Sequence, residues 1–92
     1  MASGKSLVDY GNAEEVKRIL SSIGGGRVKV SGRFMKRFFT VDGRPLVHAS
    51  EIYGDESVEL SEGEVMRALN ILVDRKDAAI EYRKGFLWYY LL

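Results

Sequence analysis

Ser61-Glu62-Gly63-Glu64-Val65-Met66-Arg67-Ala68-Leu69-Asn70-Ile71-Leu72-Val73 is the stretch that decides how this chain is read. Ser61 followed three residues later by Glu64 is a capping box. The hydroxyl accepts the Glu64 backbone N–H, and the Glu64 carboxylate reaches back to the Ser61 N–H. The helix so started is expected to run to about Arg75, with Val65, Met66, Leu69, Leu72 and Val73 along one side. Two strand-like runs follow, Ala78–Arg83 and Phe86–Leu92, folded back at Lys84-Gly85. The C-terminal third is thus a capped amphipathic helix leading into a β-hairpin.

Towards the N-terminus, residues 1–11 are small and polar and read as frayed. Asn12-Ala13-Glu14-Glu15 starts a helix, with Asn12 as cap and acids in the first turn. Val16, Ile19, Leu20 and Ile23 keep helical spacing until Gly24-Gly25-Gly26 stops it. Arg27–Val30 fits a short strand. Phe34, Met35, Phe38 and Phe39 pair at i,i+4 and favour a helix from about Ser31 to Val41. A rival reading folds Phe38–Val41 onto Pro45–His48 across a turn at Asp42-Gly43.

Gly43-Arg44-Pro45-Leu46-Val47-His48-Ala49-Ser50-Glu51-Ile52-Tyr53 then carries a more specific pattern. Together with the capped helix and hairpin it resembles the winged helix-turn-helix superfamily over about residues 31–92. In such proteins the first helix often ends in a Gly-x-Pro-Leu-like turn. A short strand, here Val47-His48, and a small helix of the form Ala-Ser-Glu-Ile follow. Gly54–Leu60 would be the turn before the helix capped by Ser61. The resemblance implies an α+β fold: a winged helix-turn-helix with an extra N-terminal helix in residues 1–30 and a C-terminal β-hairpin wing. All of residues 1–92 form one domain.

Composition bounds the function. A 92-residue chain supports one small core. Its net charge of +1 is too balanced for binding nucleic acid by bulk charge, so a local patch must supply it. The chain has no Cys, which excludes disulfides and thiol chemistry and suits a reducing, cytoplasmic setting. No run approaches the roughly 18 apolar residues of a membrane span, and no signal-peptide core is present.

Several small motifs have ordinary explanations. Gly4-Lys5-Ser6 is the tail of a phosphate-binding loop without the upstream glycine and strand that loop needs. His48 is the single histidine, lacks carboxylates at ligand spacing and reads as a half-buried structural side chain. Asp55, Glu56, Glu59, Glu62 and Glu64 lack the alternating order of a calcium loop. Neither a catalytic residue, a metal site, a cofactor nor a small-molecule substrate is expected, and the chain reads as a non-enzyme.

The resemblance implies a nucleic-acid-binding protein, in the first instance a small regulator of transcription that binds double-stranded DNA. Arg83 and Lys84 at the wing tip would grip phosphate, supported by Arg33, Lys36 and Arg37, while Arg67 and Asn70 would reach base edges. With Val65, Leu69 and Leu72 inward, the outward face of the capped helix carries Gly63, Glu64, Arg67, Asn70, Ile71 and Asp74, one cation against two anions. The alternative is an adaptor that binds protein through its aromatic hairpin. A two-residue turn puts Ala78, Ile80, Tyr82, Leu87, Tyr89 and Leu91 on one face, and Glu81, Arg83, Phe86, Trp88 and Tyr90 on the other. One face cannot bury them all. Either the helix at residues 13–23 covers the surplus, or Phe86, Trp88 and Tyr90 form an interface with a partner or in a homodimer. A continuous basic stripe joining wing and helix favours DNA, and a broken one favours the adaptor.

Overall fold

The structure, a computed structural model, describes residues 7–25 and 37–92. The fold is α+β. Its elements in chain order are α1 (Leu7–Gly25), α2 (Ser50–Tyr53), α3 (Glu62–Asp74), β1 (Ala78–Arg83) and β2 (Phe86–Leu91).

Both halves of the capping box form at α3. Ser61 Oγ accepts from Glu64 N at 3.2 Å, and Glu64 Oε1 accepts from Ser61 N at 3.0 Å. The same helix ends in a Schellman closure, with Lys76 N donating to Val73 O and Asp77 N to Leu72 O. That closure needs a left-handed residue, and Lys76 supplies it at a φ of 64°. Val65, Ala68, Leu69, Ile71 and Leu72 are buried. Ile71 therefore does not belong to the outward face expected for it: α1 packs along that flank and takes it into the core.

α1 starts earlier than the Asn12 cap implies. Leu7 to Gly11 are helical, and Asn12 lies inside the helix, where its Nδ2 donates to Glu64 Oε2 at 3.4 Å. Asp9, one turn before it, is buried beside Arg67 of α3. Tertiary contact with α3 thus supports a first turn that propensity alone would leave frayed. Ala13, Val16 and Leu20 supply the buried stripe at i, i+3 and i+7.

Residues 37–41 are not helical. Phe39 bridges Pro45, Leu46 N donates to Phe38 O, and Thr40 N donates to Arg44 O, each in hairpin fashion. Gly43, at a φ of 86°, makes the reversal, and Asp42 accepts from the Thr40 hydroxyl and from Arg44. The rival hairpin is what forms here. The i,i+4 aromatic spacing misleads because Phe38 and Phe39 instead alternate, one half-buried and one exposed, as a strand requires. The first part of the expected helix, 31–36, and the strand expected at Arg27–Val30 lie outside the described residues.

Beyond this arm, Val47 and Tyr89 exchange two backbone hydrogen bonds of 2.8 Å, which fastens the arm along the outer edge of β2. β1 and β2 pair antiparallel with Arg83 opposite Phe86, so the turn has two residues. Lys84 and Gly85 both have positive φ, as the tight hairpin turn matching strand twist demands.

The hairpin's two faces find different cover. On one face Ala78 and Tyr89 enter the core. On the other, Trp88 is only 3% exposed and meets the rings of Phe38 and His48 edge-on. Among the described residues, Phe38 and His48 of the 37–48 arm lie against Trp88.

Two outcomes are expected. Leu69, fully buried at the centre of α3, should cost about 2–5 kcal/mol when changed to Ala, read from urea unfolding. Glu64 is held below the usual carboxylate range, first by the Ser61 backbone N–H, as is Asp42 by the Thr40 hydroxyl and Asp77 by Arg75. A depressed carboxylate stabilises the fold above its ordinary pKa and loses that contribution as pH falls through the lowered value. The melting temperature should therefore fall as pH drops below about 4.5, and Glu64→Gln should flatten part of that fall.

Candidate interaction surfaces

Of the seven residues expected to meet nucleic acid, five are described, and three of those, Arg37, Arg67 and Arg83, are paired with other groups. Arg37 is withdrawn from the surface. Its side chain is 6% exposed and pairs with a 9% exposed Glu51, Nη2 donating to Oε1 at 2.7 Å. Nη1 also donates to Leu46 O at 2.7 Å, and Glu51 Oε2 accepts from His48 N at 2.9 Å. Arg37 Nε is buried without a hydrogen-bond partner. This ion pair joins the arm to the start of α2, so Arg37 does not support a phosphate contact.

Arg83 is a clip of the same kind at the other end. Nη1 donates to Phe39 O at 2.9 Å, Nη2 pairs with Glu81, and the guanidinium carbon stands 5.7 Å from the centroid of the Phe38 ring. The indole N–H of Trp88 donates to the Arg83 carbonyl at 2.8 Å. Lys84, beside it in the turn, is exposed. On α3, Arg67 and Asn70 are both exposed, with Arg67 Nε 3.4 Å from Asp9 Oδ1. Arg33 and Lys36 lie outside the described residues.

The other arginines follow suit. Arg44 donates to Asp42 and to Leu91 O, each at 2.8 Å. Arg75 donates to Glu14 at 2.6 Å and to Asp77, and Arg18 to Glu15 at 2.6 Å. Every arginine among the described residues has a carboxylate partner. All thirteen acids of the chain lie among those residues, with nine of its fourteen basic side chains; Lys5, Arg27, Lys29, Arg33 and Lys36 are the other five. Among the described residues, each arginine has an acid beside it.

The expected interface divides. Trp88 is internal, for the reason given above. Phe86 is exposed and touches His48 and Trp88 edge-on, and Tyr90 is half-buried. The larger apolar surface lies on the opposite face, where sequence reasoning expected core. There Ile80 is 41% exposed, Tyr82 70% and Leu87 46%, and Tyr82 stands directly across from Leu87. The signal was present in the strand alternation. What the sequence hid is that the core reaches only the base of the hairpin.

His48 is half-buried. Its Nδ1 lies 2.7 Å from Ser50 Oγ and accepts from Ser50 N at 3.2 Å, so it orders the entry to α2. Asp55 folds the acidic turn by accepting from Ser57 N and Oγ. No group of three His, Cys, Asp or Glu side chains among the described residues is placed to hold a metal. A cleft of about 160 Å³ between α1 and the arm, lined by Leu20, Ser21, Arg44, Pro45, Val47 and Tyr90, is smaller than the roughly 300 Å³ at which ligand sites begin. Among the described residues no helix is long and apolar enough to cross a membrane.

Removing one partner of the buried pair strands the other. Arg37→Ala should cost about 3–5 kcal/mol in denaturant unfolding, whereas the paired change Arg37→Met with Glu51→Leu should recover most of that loss.

No protein-family model matches this chain, and no curated protein or solved structure matches it either, so the functional reading rests on the surfaces just described.

Proposed function

We propose that this chain is a non-enzymatic protein-interaction module on a winged-helix plan, with the outer part of its hairpin as the contact surface. The winged-helix reading is supported by element order: helix, short extended segment, short helix, capped helix, hairpin. Pairing of Val47 with the last strand fits the same plan. In that plan α1 takes the part of the first helix, which the sequence had suggested for residues 31–41.

The observation that carries the choice of function is the exposed apolar cluster on the hairpin, set against the acids at the start of α3. A protein that grips DNA presents cations to phosphate. Here the first turn of α3, which would enter the groove, carries Glu62 and Glu64. The hairpin, by contrast, exposes Ile80, Tyr82 and Leu87 together. Burying such side chains is worth on the order of 1.5–3 kcal/mol each, and clustered exposure of this kind marks a contact surface.

One arrangement favours the second reading, a DNA-binding regulator of transcription. Arg67 and Asn70 lie three residues apart on the exposed side of α3, and Lys84 stands in the wing turn. Exposed ion pairs such as Arg67–Asp9 are weak enough to be exchanged for phosphate.

A salt series with random-sequence duplex DNA separates the two. The module reading expects no binding that survives about 0.1 M salt. The DNA reading expects binding whose log–log salt slope falls by about 0.9 with Lys84→Ala, and a preference at one base pair that Arg67→Ala relaxes. The module reading also expects Tyr82→Ser with Leu87→Ser to leave unfolding free energy within about 0.5 kcal/mol of wild type per substitution. A larger loss would make those side chains part of the core.

A further inference from the structure

The turn of the arm holds a chemically reactive pair, Asp42-Gly43. In an Asp-Gly sequence the glycine nitrogen, uncrowded by any Cβ, can attack the aspartate side chain. A bond forms from Gly43 N to Asp42 Cγ, and the carboxyl OH leaves with the amide proton as water, giving a five-membered succinimide. Water then reopens the ring at either carbonyl. Opening at the original backbone carbonyl leaves the chain running through the side chain, an isoaspartyl linkage. One water is lost and one regained, so the net change is an isomerisation. Gly43 stands at a φ of 86°, a left-handed conformation that favours glycine, so the turn keeps the reactive pair in place. Asp42 is exposed, and water has access to it.

The folded turn holds both reacting groups. Gly43 N donates to Thr40 O at 3.0 Å. Asp42 Oδ1 accepts from the Thr40 hydroxyl, and Oδ2 accepts from Arg44 Nε at 2.8 Å. The Thr40 hydroxyl is itself fixed by accepting from Arg44 N at 2.9 Å. Nucleophile and electrophile are thus tied to one residue, Thr40. Loss of water also starts from the protonated carboxyl, and the Thr40 hydroxyl, followed by Arg44, holds Asp42 below the usual carboxylate range.

We propose that Asp42-Gly43 is an isoaspartate-forming site that the folded arm keeps inactive, with Thr40 as its guard. Reaction then requires the turn to open, and its rate is that of the open chain scaled by the fraction of time spent open. The product carries one extra methylene in the backbone between Thr40 and Arg44, the two residues whose N–H and C=O close the hairpin at 2.8 Å. This chemistry is independent of whether the β1–β2 hairpin meets protein or DNA.

The test is incubation of the full chain at neutral pH, below its melting transition, with isoaspartate at residue 42 counted by peptide mapping. A peptide of residues 38–46 and the full chain in urea give the unguarded rate. The folded chain should form isoaspartate at least about tenfold more slowly than either. Thr40→Val removes the hydroxyl and keeps the branched shape, and should raise the rate about fivefold. Thr40→Ser keeps the hydroxyl and should stay near wild type. Arg44→Lys, which lacks the Nε donor, should also raise the rate, and it carries the test if Thr40→Val loses native Trp88 emission. Equal rates in the folded chain and the peptide overturn the proposal. So does a natively folded Thr40→Val chain that reacts no faster than wild type, or a Thr40→Ser chain that reacts as fast as Thr40→Val.

Discussion

The structure depends on the burial of α3. A domain of this size has only one core, and α3 contributes Val65, Ala68, Leu69, Ile71 and Leu72 to it. α1 lies along one flank, α2 and β1 meet it elsewhere, and Tyr89 of β2 reaches the same cluster. A helix this short is marginal alone in water. Its two ends are therefore fixed, the first by the Ser61–Glu64 box and the last by the left-handed Lys76. With both ends set, the direction in which β1 departs is set too, and the hairpin follows from it.

The arm at residues 37–48 is held in a different way. It has little regular structure, and three polar clips attach it: Arg37 to Glu51, Arg83 to Phe39, and Val47 to Tyr89. Between them Phe38 and His48 close over Trp88. Two arginines that would have strengthened a basic surface are consumed in fastening this arm.

How far the sequence disclosed this varies with the range of the signal. The capping box, the α3 stripe and the Lys84-Gly85 turn are local, since each is decided within a few residues, and they could be read directly. Ile71 could not, because its burial depends on α1 arriving at that flank from more than 45 residues away, the separation also spanned by the Asn12–Glu64 contact. Phe38 and Phe39 satisfied both helical and strand spacing, and only the left-handed Gly43 and contact with Trp88 decide between them. The arginines were least legible. A guanidinium has no periodicity, and whether it meets a carboxylate or solvent is set by residues as distant as Phe39 is from Arg83. The apolar surplus of the hairpin is visible in the sequence, but that Trp88 lies against Phe38 and His48 while Ile80, Tyr82 and Leu87 stay exposed depends on contacts with a distant arm.

Trp88 also bears on the order of assembly. α3, β1 and β2 follow one another directly, so their mutual contacts close short loops. The arm reaches the indole across a sequence separation of 44 residues between Phe39 and Arg83. Loop-closure entropy grows with that distance and non-local contacts form slowly. Docking of the arm therefore belongs to the late part of folding, and the single tryptophan sits at the seam where it happens. Its emission therefore reports the burial of the indole when Phe38 and His48 close over it.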